Sequence, residues 1–199
     1  MSWKLYLIVI TNAAKISTAE VPEKIGVDNL SPKQEISLHQ AQSAKGLFIG
    51  KHKDKLVIVS QDLVFDFYEK SPSDFEKKVL AAFPNSEIAV LTLNGTTDLY
   101  GYSIIKDGKR QRVKSGADLE LYVDYGEKLQ EEIDVLKEKL FDDDELQEMK
   151  EEYSKQELKK VIDQEVSIRA AFRLSKRYFG KAFDEAGSDF EKIKVTQYE

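Results

Sequence analysis

The chain contains no cysteine. That absence excludes disulfides, thiolate catalysis and cysteine-ligated zinc. Histidine is almost as scarce. His39 and His52 are the only two, both fall in segments predicted to lie at the surface, and the sequence identifies no serine or acid partner for a triad. There is no Gly-x-Ser-x-Gly, no phosphate-cradling P-loop and no dinucleotide fingerprint. No apolar run approaches the roughly 20 residues of a membrane-spanning helix. The run at 5–10, after Met1-Ser2-Trp3-Lys4, reads as a buried strand rather than a signal peptide or a span. Positive charge is in deficit too. A net charge of −6 gives no bulk attraction to nucleic acid or an anionic membrane surface.

What is present suits a folded protein. With 199 residues the chain can bury a sizeable core without a covalent staple. Charged residues make up 33% of it, above the usual share of about a quarter, so much of the surface is solvated charge.

Hydrophobic periodicity divides the chain. Residues 5–10 are apolar, partly β-branched and bounded by Thr11-Asn12, which predicts a central strand. Ser31-Pro32-Lys33-Gln34 has the form of a short helix start, with proline at the first position. Residues 46–50 and 55–60 flank His52-Lys53-Asp54 and predict a hairpin. Residues 62–68 either extend its second strand or bend away. Ser71-Pro72-Ser73-Asp74 opens a helix whose apolar face is Phe75, Val79, Ala82 and Phe83, with Pro84 after its end. Strands follow at 87–93, 99–105 and 110–114, the last two joined by the Asp107-Gly108 turn; Ser115-Gly116 turns again. Leu119, Leu121 and Val123 alternate with polar residues, predicting a strand with one wet face.

From Glu127 the period becomes helical, with Leu129, Ile133, Leu136 and Leu140 on one face. Asp142-Asp143-Asp144 interrupts it, and a second helix is predicted from about 145 to 186, ending at Gly187, with Gly180 as a point of interruption. Its later half carries Ile168, Ala171, Phe172, Ser175, Tyr178, Phe179, Ala182 and Phe183 on one side. The expected architecture is α+β: a mostly antiparallel sheet covered by helices, with a C-terminal helical hairpin. Residues 1–126 form the sheet domain, 127–187 the helices packing on it, and 188–199 a flexible tail.

Two stretches resemble a bacterial family catalogued as a domain of unknown function. One is 87–129, with Asp98-Leu99-Tyr100-Gly101-Tyr102, then Lys106-Asp107-Gly108, then Tyr125-Gly126-Glu127-Lys128-Leu129. The other is 170–180, where Phe179-Gly180 ends a helix. Members of that family usually carry tryptophan and histidine near the position of 94–100; here the segment is Asn-Gly-Thr-Thr-Asp-Leu-Tyr. The resemblance implies a fold and no chemistry.

Arginine is the most informative residue type. The chain has five, Arg110 and Arg112 on one predicted strand and Arg169, Arg173 and Arg177 in one stripe of a predicted helix. Two residues apart on a strand places the first pair on one face. If strand and helix are neighbours, the five form an anion-binding guanidinium patch, enlarged by Lys114 and Lys176. The alternative is a solvated face paired with acids such as Glu165, four residues before Arg169.

The acidic stretch 118–165 holds 18 Asp or Glu against 7 Lys. Asp142 to Glu145 lack the spacing and glycine of a calcium loop, so they read as a helix cap and no metal site is expected. Asn94-Gly95-Thr96-Thr97 reads as a plain turn. Ser2 would become an N-terminal nucleophile, its α-amine acting as base, were Met1 removed. The expected function is a non-catalytic cytoplasmic binding or protein-interaction domain without cofactor. Its partner is a protein or an anionic small molecule; nucleic acid and membrane are disfavoured. The alternative is an N-terminal-nucleophile-like hydrolase using Ser2.

Overall fold

The computed structural model describes residues 3–199. The apolar run near the start forms β1 (Lys4–Ile10), and from Leu5 onward every residue of it is buried. A strand buried on both faces needs a neighbour on each edge for its backbone groups and a layer on each side for its side chains. Both are supplied. The other strands are β2 (Pro32–Ser37), β3 (Leu47–His52), β4 (Lys55–Val59), β5 (Ile88–Asn94), β6 (Leu99–Lys106), β7 (Lys109–Ala117), β8 (Glu120–Gly126) and β9 (Lys194–Tyr198). They make one nine-stranded sheet in the order β2-β9-β3-β4-β1-β5-β6-β7-β8. Every pairing is antiparallel.

The helices are α1 (Val21–Lys24), α2 (Leu38–Ala41), α3 (Asp74–Ala82), α4 (Gln130–Val135), α5 (Asp143–Glu152) and α6 (Lys155–Phe179). The pleat sends alternate residues of β1 to two cores. Leu5, Leu7 and Val9 join Leu91, Tyr102 and the α6 residues Ala170, Ala171, Leu174 and Phe179. Tyr6, Ile8 and Ile10 join Ile58, Val90, Phe67 and Val79 beneath α3 and the 3-10 turn Leu63–Phe67. Each fully buried aliphatic contributes about 1.5–3 kcal/mol. The α+β sheet architecture is therefore as expected. On the apolar side expected of the later helix, Ile168, Phe172 and Phe183 are half-buried, and Phe172 packs edge-to-face on Trp3 at 5.4 Å between ring centroids.

Several local expectations are corrected. Residues 188–199 are no flexible tail. Phe190 and Ile193 are buried after a 3-10 turn, and β9 inserts between β2 and β3, hydrogen-bonded on both edges. Its Val195 enters one core and its Tyr198 the other. Ser31-Pro32 starts no helix: Pro32 begins β2, an outer strand where a missing N–H costs little. The cap lies further on. Ser37 and Gln40 form a reciprocal capping box for α2. Ser73 rather than Ser71 caps α3. β7 runs through Ser115-Gly116 to Ala117, and the chain turns at Asp118 and Leu119, both with positive φ.

Three helices replace the helical hairpin expected at 127–187. The long one is divided at Tyr153-Ser154, where Ser154 and Glu157 start α6 with a fresh capping box, and it stops at Gly180 in a left-handed conformation (φ 85°). In α4 the expected face is rotated: Glu132 and Val135 point inward while Ile133 and Leu136 are exposed.

Because Phe190 belongs to the core, Phe190→Ala is expected to lower stability by about 3–5 kcal/mol in urea unfolding. A loss below about 1 kcal/mol would return residues 188–199 to a solvated tail.

Candidate functional site

The arginines come first, because the sequence gathers them. β7 carries a bulge: Ile104 faces Arg112 and Ile105 faces Arg110, which leaves Gln111 extra. Two residues apart normally means one face; an inserted residue reverses that. Arg110 accordingly points to the α3 side. There its Nε donates to Glu76 Oε1 at 2.9 Å, its Nη2 to the other Glu76 oxygen, and its Nη1 to the Glu69 carbonyl at 2.7 Å. Glu76 is fully buried.

Arg112 points to the α6 side and is 1% exposed. Its Nε and Nη2 donate to the two Glu132 oxygens at 2.9 and 2.8 Å, a fork-to-fork pair. Its Nη1 donates to Asp124 and to the carbonyls of Tyr125 (3.1 Å) and Gly126 (3.2 Å). Burial opposes the Arg112 charge, but the hydrogen bonds to Glu132 and Asp124 outweigh it and the pKa is raised. Burial would likewise raise the Glu132 carboxyl. The Arg112 hydrogen bonds and the Leu129 N–H reverse this and hold it below its ordinary 4.5. Beside them Lys114, also 1% exposed, donates to Asp163 of α6 at 2.7 Å.

The α6 stripe is equally engaged. Arg169 pairs with Glu165, the i,i+4 partner predicted from the sequence, and donates to the Leu140 carbonyl at 2.8 Å. Arg173 pairs with Glu138. Arg177 grips both Glu131 oxygens at 2.7 and 2.6 Å. The five arginines thus form no single patch. Arg110 stands across the sheet, and the other four grip the chain around α4 from two directions. Each guanidinium has a carboxylate partner within the chain. Lys176, which was expected to enlarge the patch, lies 3.7 Å from Glu185.

The other sequence candidates are placed as follows. Asp142 and Glu145 form the capping box of α5. Asn94 donates to the Tyr6 hydroxyl of β1 at 3.0 Å, and its Oδ1 accepts the Thr96 N–H within the turn at 3.0 Å. His39 Nδ1 lies 3.1 Å from Glu191. His52 Nε2 is buried and has no hydrogen-bond partner among the described residues. Burial first, then Lys53 and Lys55, lowers its pKa. Ser2 lies outside the described residues.

Sequence reasoning predicted this outer strand but not which of its side chains stay exposed. The turn at Leu119 and a second bulge at Tyr122 break the expected Leu119, Leu121, Val123 face. In β8, Leu121, Tyr122 and Tyr125 are 52, 54 and 57% exposed. Tyr122 adjoins Phe65 and Leu99 on the α3 side. Leu121 lies on the α6 side, at a groove of about 690 Å³ with Tyr100 and Leu119 in it and Lys159, Lys160 and Asp163 of α6 as its wall. Burial, and next the charge of Asp163, raises the Tyr100 pKa and keeps its hydroxyl a donor. The signal available in the sequence was charge: 115–127 contains four acids and no Lys or Arg.

No family model matches the chain, and no curated protein or solved structure matches it.

The buried pair makes a sharp test. Glu132→Gln is expected to cost about 3–5 kcal/mol, since Arg112 keeps its charge and loses the buried one of its two carboxylate partners. Arg112→Met with Glu132→Leu should recover most of that loss. A depressed carboxyl pKa stabilises the fold above the unfolded value near 4.5 and loses that contribution as pH falls through the folded value. Wild-type stability should therefore drop below pH 4.5 more steeply than that of the double variant. Equal slopes in acid titrations followed by circular dichroism would remove Glu132 from the account.

Proposed function

We propose that the protein is a non-catalytic protein-interaction domain and that β8 is its docking strand. The observation that carries this is the contrast between the two edges of the sheet. β2 is shielded in the usual ways: it starts with Pro32 and Lys33, and its pairing with β9 is irregular between Pro32 and Glu35. β8 is also bulged, at Tyr122, but it has neither proline nor lysine, and it presents an aliphatic and two aromatic side chains to solvent beside an edge that no other strand pairs. Such an edge is a template for an added strand.

The side chains define the occupant: an extended segment of a partner protein in which apolar residues alternate with Lys or Arg. Strand addition sends its residues alternately to the two faces. On the α6 face they meet Leu121 and the groove with Leu119 and Tyr100, which suits an apolar side chain. On the α3 face they meet Tyr122 and Tyr125, whose ring faces attract a cation. Asp118, Glu120 and Glu127 give the rim a negative charge that steers a basic segment inward.

A fluorescein-labelled peptide of alternating lysine and valine is the probe, with a glutamate–valine peptide as control. Saturable anisotropy changes are expected for the first alone, weakening with salt. Leu121→Lys with Tyr122→Lys should abolish binding, while stability stays within about 0.5 kcal/mol because both positions are exposed. Equal binding of both peptides, or unchanged binding by the variant, would end this reading.

A further inference from the structure

Away from the β8 edge, where β1 begins, a cleft of about 570 Å³ is lined by Trp3, Lys4, His39, Gln42, Ser43, Phe183 and Asp184. That volume is ordinary for a small-ligand site. Its three rings are held from outside the cleft. The Trp3 indole packs against Phe172 and against Gly95, where a Cβ would come within 3.0 Å of the ring. The Trp3 carbonyl also accepts the Gly95 N–H at 3.0 Å. His39 rides on α2, fixed by its capping box, and lies 3.1 Å from Glu191. Phe183 stacks on His39, centroids 6.4 Å apart and planes 25° apart, and meets Phe190 at 5.0 Å. The Phe183 N–H donates to Ser175 Oγ at 2.9 Å, which anchors the loop after α6.

The chemistry follows from the walls. Aromatic faces carry negative potential, and tryptophan is the strongest among the side chains. Asp184 adds a carboxylate that is in no ion pair among the described residues, Lys4 included. The Gln42 amide is committed to the Tyr6 N–H and the Leu38 carbonyl, so a hydrated ammonium or metal ion would lose its water shell here for little more than the Ser43 hydroxyl and the Asp184 carboxylate. A methylated ammonium has no donors to satisfy and little hydration to lose. We propose that this cleft binds a small quaternary ammonium compound between Trp3 and Phe183, with Asp184 as counter-charge. The proposal stands independently of the docking strand.

Trp3 is the only tryptophan, so its emission reports on the site directly. The full chain is titrated with choline chloride, with potassium chloride at matched ionic strength and with tert-butanol as an uncharged counterpart. A saturable change with choline alone is expected. Phe183→Leu, which keeps an apolar contact on Phe190, should weaken binding about fivefold or more, the scale of one lost ring–cation contact. Asp184→Asn should weaken it severalfold, and more so at low salt. The proposal is overturned if choline acts no differently from potassium or tert-butanol. It is equally overturned if both variants, with wild-type melting temperatures, bind choline as tightly as the parent.

Discussion

A guanidinium buried between a sheet and the helices that cover it has to be matched atom by atom, and Arg112 sets that condition here. Its three nitrogens make five hydrogen bonds, to a carboxylate from α4, a carboxylate from β8 and two carbonyls of β8. An unmatched charge at this depth would cost several kcal/mol. The direction of β8, the start of α4 and the rotation of α4 about its own axis are therefore tied to one side chain. The inward turn of Glu132, at the expense of Ile133 and Leu136, is the visible result.

The same logic accounts for the acidic 118–165 stretch. Much of that charge is solvated, as on α5, which has no buried residue. A subset is structural. Glu131, Glu132 and Glu138 are the points at which Arg177, Arg112 and Arg173 hold the segment, and Asp163 receives Lys114. Pairs that are half-exposed, such as Arg173 with Glu138, add little energy individually. Their contribution is to fix register between α6 and a segment too short to hold its own shape. A helix of six residues is marginal without tertiary contacts.

The two ends of the sheet are managed differently. At one end the chain uses its last strand to close the gap between β2 and β3, so the edge falls on a strand already blunted by proline and lysine. At the other end the edge falls on a bulged, acidic, aromatic strand. Neither Tyr122 nor Tyr125 is needed to complete a core. That composition is what the proposed docking of an extended segment rests on.

The sequence by itself determined the elements whose signals are local. The β1 and β5 runs, the β3–β4 hairpin, the Asp107-Gly108 turn, the α3 face and the Glu165–Arg169 pair all rest on periodicity, turn chemistry or spacing within a few residues. The rest was decided by contacts between distant parts of the chain. A β-bulge is not encoded by alternation. One inserted residue at Gln111 sent Arg110 and Arg112 to opposite faces and dissolved the patch that their spacing implied. Residues 194–198 carry a β-like pattern too short to stand alone, and they became a strand only because β2 and β3 left two unpaired edges facing each other. The rotation of α4 reversed its own hydrophobic pattern, because neutralising a buried Arg112 outweighs burying two aliphatic side chains. Spacing sets which groups are available. Desolvation of charge, with the satisfaction of backbone edges, settles where they go.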